Sequence, residues 1–266
     1  MASIQSLSKR AFAFENHVYF LSEGSIRNIN TDHEHGSRFD IQHFKSLCVG
    51  HGSKHDKMQA LLNYADHFLQ PLGEGSSRKA FLYSSKKVLK IAKNDFGLAQ
   101  NQEEAQNADV GGDAEEFNKR VATKLYEKSE YFPPGLFWII VELVNPLRGK
   151  SQSESGYTVD HNGEYVDEEE EIEDEIKFRE LTGVSWSEFC TDLEELVRMC
   201  REEMDSSDEI DQTEYPDFVK AVAKFAVSND LIMGDLVTLN HWGSTADGRV
   251  VLLDSGFSYE SARHQR

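Results

Sequence analysis

The sequence predicts an α+β protein with a β-rich part ahead of a mainly helical part. Three observations carry this. Between 71 and 93, two glycines precede two β-rich runs joined by Ser-Ser-Lys-Lys, a hairpin pattern. "LFWIIVELV" (136–144) is a continuous apolar run of strand length, as a buried strand requires. Beyond it, "SWSEFCTDLEELVRMCREE" (185–203) and the stretch from Pro216 to Ser228 read as helices.

In chain order, residues 1–70 form an N-terminal extension packed on the β-rich part. It holds a strand at "HVYFLS" (17–22), a turn at "SEGS" and a helix over 54–70, where Met58, Leu61, Leu62, Ala65 and Phe68 recur at helical spacing. His33, His35, His43, His51 and His55 crowd this region in no metal-ligand spacing, so they read as solvated loop residues. Residues 71–145 follow, with the hairpin, a helix over 96–108, a Gly-Gly break and a second amphipathic helix over 113–128 that "YFPPG" stops. Pro146 prevents the apolar strand from continuing. Residues 146–176 form an acidic insertion, with a small hairpin on Asn162-Gly163 and a solvated tract "DEEEEIEDE" (167–175). The last part, 177–266, opens on a helix that Ser185 and Glu188 cap reciprocally. It closes with a turn at Asp247-Gly248 and the strand "RVVLLD".

The net charge of −19 is local. Residues 151–175 carry −11 and residues 201–214 carry −6, which leaves −2 for everything else. Such surfaces repel phosphate backbones and exclude nucleic-acid binding through them. They say nothing against a nucleotide elsewhere. The longest apolar run has nine residues and includes Glu142, far short of the ~20 that span a bilayer, so no membrane partner is expected. The odd set Cys48, Cys190 and Cys200 makes no disulfide framework and suits a reducing cytoplasm.

Five motifs, in order, resemble those of the protein-kinase-like superfamily, over roughly residues 70–260 without the insertion. "LGEGSSRKAF" (72–81) resembles the glycine-rich loop, and "VLKIA" (88–92) the strand with the phosphate-binding lysine. "IIVELVNPL" (139–147) resembles the strand and hinge between two lobes. "MGDLVTLN" (233–240) keeps the Asp-Leu-x-x-x-Asn spacing of the catalytic loop, and "LLDSGF" (252–257) resembles the metal-binding Asp-x-Gly element. The resemblance implies a two-lobed kinase-like fold, with a β-rich N-lobe and a minimal, mainly helical C-lobe, in a compact, divergent member of microbial or viral type. It implies ATP and Mg²⁺ as cofactors.

The roles follow residue by residue. Gly73 and Gly75 would let the backbone approach the phosphates. Lys90, flanked by Leu89 and Ile91, would sit partly buried and need an anion; the resemblance gives it the α/β-phosphates. Its acidic partner would be Glu104, with Glu115 or Glu116 on the next helix as alternatives. The resemblance puts Glu142 in the hinge, among the cofactor-binding residues. Asp254 and Asn240 would hold Mg²⁺, and Asp235 would accept or orient the proton of an acceptor hydroxyl. The chain departs from the pattern at Met233-Gly234, where His-Arg is usual, which implies no phosphorylated activation loop. It departs again at Ser255, where Phe is usual, and at Arg78, which stands at the third glycine position and would stiffen the loop. No Ala-Pro-Glu motif follows Gly256, so the helices that hold a peptide substrate are not expected. The resemblance implies a protein or small-molecule hydroxyl as the acceptor. The other readings are a weak pseudokinase that acts as an interaction module, nucleotidyl transfer at the same site, and an acidic nucleic-acid mimic.

Overall fold

A computed structural model describes residues 9–14, 17–22, 39–49, 51–108, 116–152, 158–160, 164, 172–202 and 207–255. It is an α+β fold. Strands β1 (Lys9–Phe14) and β2 (His17–Ser22) pair as an antiparallel ribbon. Helix α1 (Ile41–Ser46) starts on Asp40, whose side chain accepts from the Gln42 and His43 N–H groups. His43 therefore belongs to a helix, as does His55 in α2 (Lys54–Phe68), and neither is a loop residue. His33 and His35 lie outside the described residues. A capping box between Ser53 and Asp56 opens α2.

The main sheet is antiparallel, in the order β3 (Gln70–Glu74), β4 (Arg78–Ser84), β5 (Lys87–Ala92), β9 (Trp138–Glu142), β6 (Leu125–Lys128). Helix α3 (Asp95–Ala108) leaves β5, and the short α4 (Glu116–Val121) follows. Strands β6 (Leu125–Lys128), β7 (Tyr131–Phe132), β8 (Gly135–Leu136) and β9 (Trp138–Glu142) complete this half. The helix expected over 113–128 is thus corrected. Its helical part ends at Val121, and Leu125–Lys128 is an edge strand on β9. Burial there alternates residue by residue, and the hydrogen bonds offered by the open edge of β9 outweigh the local helical pattern.

One face of the sheet packs Phe81, Leu89, Ile91, Trp138 and Ile140 against Phe44 of α1 and Met58, Leu61 and Ala65 of α2. The other face gathers Leu72, Ala80, Leu82, Val88, Ile139 and Val141 near Ala105 of α3. Each Val, Leu, Ile, Phe or Met among them contributes about 1.5–3 kcal/mol when fully buried.

Strand β10 (Asn145–Pro146) leads out of the sheet, and β11 (Ser151–Gln152) pairs with β12 (Thr158–Val159). The Asn162-Gly163 turn and residues 165–171 lie outside the described residues. Glu173–Glu175, expected in a solvated tract, instead form the first turn of α5 (Glu173–Thr182). The carboxylates sit at the positive end of the helix dipole, and buried Glu175 faces Lys150 at 3.5 Å. Helix α6 (Trp186–Glu202) has the expected reciprocal cap, with Ser185 Oγ donating to Glu188 at 2.7 Å. A 3₁₀ turn (Ser207–Gln212), α7 (Asp217–Ser228) and α8 (Met233–Leu236) follow. The second core joins Phe178, Phe189, Leu193, Leu196, Val219, Val222 and Phe225 to Trp242. Strands β13 (Trp242–Ser244) and β14 (Val250–Leu252) form a hairpin, and β13 also pairs with β10. Gly248, with φ of 84°, makes its turn in a conformation that a Cβ would disfavour. No helix among the described residues is long and apolar enough to cross a membrane.

Candidate functional site

The site begins at Lys90, in the middle of β5. The two-residue alternation of a strand sends Leu89 and Ile91 into the core under α2, and Val88 and Lys90 to the opposite face. The Lys90 side chain is only 6% exposed, and an ammonium so shielded needs an anion and acceptors. It donates to Glu104 Oε1 at 2.6 Å and to the carbonyl oxygen of Leu253 at 2.8 Å. Glu104 projects from α3 and is fully buried. Its other oxygen accepts from Arg78 Nη1 at 2.7 Å, and Arg78 Nη2 pairs with the Asp254 carboxylate. Arg78 is also fully buried and donates to Asn101 Oδ1 at 3.2 Å. Two cations and two carboxylates therefore close a neutral quartet drawn from β4, β5, α3 and the segment after β14. Glu115 and the Glu116 side chain lie outside the described residues.

Local sequence holds α3 in place. Gly97 passes so near the hairpin that a Cβ there would lie 2.1 Å from the Ser77 carbonyl oxygen. Asn94 accepts from the Gly97 N–H at 3.0 Å and donates to the Ser76 carbonyl at 3.1 Å. Ser77 Oγ donates to Gln100, and Lys93 Nζ reaches the Gly75 carbonyl at 2.7 Å. Gly75 N–H donates to the Arg78 carbonyl at 2.9 Å and closes the turn, while Gly73 sits in β3 opposite Ala80. The glycine-rich turn and the helix that carries Glu104 are thus one hydrogen-bonded unit.

Beside the quartet is an apolar slot lined by Leu72, Ala80, Val88, Val141, Val144 and Leu253 together with Lys90. Glu142 also lines it, but its carboxylate is held by Arg249 Nη2 at 2.7 Å. Thr123 Oγ1, on the same wall, is buried with no partner among the described residues. The slot has a free volume of about 50 Å³, well below the ~300–1,000 Å³ of pockets that bury a whole ligand. A planar ring fits between its walls only if they part.

Asp235 lies in α8, a single turn that a 3₁₀ turn (Leu239–His241) separates from β13. Its Oδ1 faces His241 Nδ1 at 3.3 Å, and that ring nitrogen also lies 3.0 Å from the Asp235 carbonyl oxygen. Asp235 Oδ2 is shielded from solvent and has no hydrogen-bond partner among the described residues. Burial lifts the Asp235 pKa above the ordinary aspartate value; the facing His241 opposes the rise and the charge of Asp254 adds to it. Leu253 N–H donates to the His241 carbonyl at 2.8 Å, which extends the β13–β14 pairing and brings Asn240 and Asp254 to the same end of the hairpin. Asn240 Oδ1 accepts from the Gly149 N–H at 2.7 Å. Among the described residues no three His, Cys, Asp or Glu side chains form a metal cluster.

The structure thus brings Lys90, Glu104 and Asp254 into one cluster, with Asp235 near enough to feel the Asp254 charge. Gly73 and Gly75 lie in the hairpin above, Asn240 is tied to Gly149, and Glu142 is at the slot's rim. Sequence reasoning missed Arg78 as a member of the site. Its signal was strand parity, since Arg78, Ala80 and Leu82 fall on one side of β4 and the last two are plainly core residues. It also missed Gln100, Asn101 and Asn107, a buried polar stripe with Glu104 at helical spacing on α3. Asn107 donates to the Ser255 carbonyl at 2.6 Å. No known protein family matches the sequence, and no curated protein matches it.

Proposed function

We propose that the chain is a kinase-like phosphotransferase with a two-lobed fold, which binds ATP with Mg²⁺ and transfers the γ-phosphoryl group to a hydroxyl of a protein or small molecule. The observation that carries this reading is the buried Lys90–Glu104 pair, whose lysine lines an apolar slot, with Asp254 joined to it through Arg78. A lysine fixed by a carboxylate is a placed cation for a phosphate, and phosphoryl transfer depends chiefly on such positioning. In this reading the slot takes the base once its walls part, and Gly73 and Gly75 lie over the phosphates. Asp235 Oδ2 accepts the proton of the attacking hydroxyl; as the new P–O bond forms, the bond to the β-phosphate oxygen breaks and ADP leaves. Asp254 and Asn240 are the hard oxygen donors that suit Mg²⁺, which commonly takes one or two protein ligands and completes its shell from phosphates. Bound there, the ion would neutralise phosphate charge.

The test is thermal unfolding with and without millimolar Mg-ATP. At a hundred times its dissociation constant the nucleotide adds about 2.7 kcal/mol, a rise of about 5–10 °C for a chain of this size. Absence of any rise removes the reading. The pseudokinase alternative draws on the Arg78–Asp254 pair, which engages the carboxylate that would hold the metal. It differs in expecting Asp235→Asn to be silent in transfer assays.

A further inference from the structure

The charges around Lys90 balance one another within the protein. Lys90 and Glu104 cancel. Asp254 would then be a surplus negative charge, and such a surplus is what draws a divalent cation and repels a bare triphosphate. Arg78 removes it. Its guanidinium is fully buried, bridges Glu104 and Asp254 from the side of β4, and is steadied by Asn101. Guanidinium stays protonated at any working pH and its planar fork suits two carboxylates at once. The Arg78 backbone is itself part of the turn, through the Gly75 N–H. The quartet is therefore complete before any ligand arrives.

We propose that Arg78 is a resident cation, a positioning residue that gives the phosphate site its charge balance without a metal, so that the chain engages nucleoside triphosphate in the absence of divalent cations. This rests on the nucleotide-site reading above and concerns binding, not the transfer step. Arg78 is walled off from solvent and acts through Asp254 and Glu104, which it holds together and neutralises. The Lys90 ammonium then meets the phosphates with the Glu104 and Asp254 charges already balanced.

The experiment measures ATP binding by calorimetry and by melting temperature, in EDTA and in Mg²⁺, for the full chain. Wild type is expected to bind in EDTA with a dissociation constant within about tenfold of that in Mg²⁺. Arg78→Met exposes one uncompensated carboxylate and should lose metal-free binding by about a hundredfold or more, while Mg²⁺ restores it. Arg78→Lys keeps the charge and should keep metal-free binding. A merely structural arginine would lower the melting temperature in both variants without creating a metal requirement. If Arg78→Met does not fold, Asp254→Asn carries the test: metal-free binding at least as tight as wild type supports the proposal, and its loss overturns it. Wild type that binds only with Mg²⁺, or Arg78→Met that still binds in EDTA, overturns the proposal and leaves the nucleotide site standing. Wild type that binds under neither condition overturns both.

Discussion

Replacing Glu104 by Gln keeps shape and removes one charge from the centre of the quartet. Glu104 is fully buried and serves two cations, Arg78 at 2.7 Å and Lys90 at 2.6 Å. Removing one partner of a buried ion pair costs about 3–5 kcal/mol, because the other charge is left uncompensated. Here the loss is softened. Arg78 keeps Asp254 and Asn101, Lys90 keeps the Leu253 carbonyl, and the glutamine offers one oxygen. The lower end, about 3 kcal/mol, is the expected cost, equivalent to a melting temperature lower by about 6–12 °C. Urea unfolding followed by circular dichroism measures it, with Glu202→Gln as the reference. Glu202 pairs with Arg198 one helical turn away with 61% of its side chain exposed, and its loss should cost less than about 0.5 kcal/mol. If Glu104→Gln lies within about 1 kcal/mol of wild type, the quartet does not hold α3 to the hairpin and the argument for the site fails.

Other outcomes follow from the same geometry. Asp235 has its folded pKa raised by burial, so its stabilising share is complete below the unfolded value of 3.8 and is lost as pH rises through the folded value. Asp235→Asn should therefore melt higher than wild type at neutral pH, with the gap closing in acid, while transfer falls about 10²–10⁴-fold and ATP affinity holds; a variant that melts lower at neutral pH would show that the carboxylate is structural. Gly97→Ala forces a methyl against the Ser77 carbonyl and should cost at least about 1–3 kcal/mol by urea unfolding, with reduced ATP affinity because the glycine-rich turn moves; a neutral result would mean that the turn and α3 separate freely. Ser185→Ala removes the cap of α6 and should cost about 1 kcal/mol without touching ATP binding, which a paired stability and calorimetry measurement decides.

Much of the fold could be read from local chemistry. The Ser185–Glu188 cap, the hairpin after Gly75 and the apolar strand at 138–142 are all set by neighbours in sequence, and sequence shows them. The failures share a cause. Leu125–Lys128 is helical by pattern but lies along a strand edge that only the folded sheet provides. Glu173–Glu175 look like solvated acid until Lys150 and the start of α5 claim them. In sequence Arg78 shows only as a departure from glycine that stiffens the loop, because its partners are 26 and 176 positions away in the chain. Glu104 is legible because a buried lysine demands an anion and the kinase-like resemblance puts that anion on the following helix. The need for a second cation appears only when Glu104 and Asp254 are brought together.

The short pairing of β10 with β13 has a topological consequence. Leu147 N–H donates to the Trp242 carbonyl at 2.8 Å, so the chain leaves on one strand and returns on its neighbour after 94 intervening residues. Helices α5 to α8 lie within that excursion, whose two ends are clamped side by side. Closing a loop costs free energy only logarithmically in its length, about 0.6 kcal/mol for each doubling. Residues added or removed between β11 and α5 therefore change the closure cost by a few tenths of a kcal/mol and leave both ends where they were. The acidic stretch occupies the part of the chain where length is nearly free to drift, while the quartet on the other side of the clamp has no such latitude, since every member is fixed by a contact that a single inserted residue would displace.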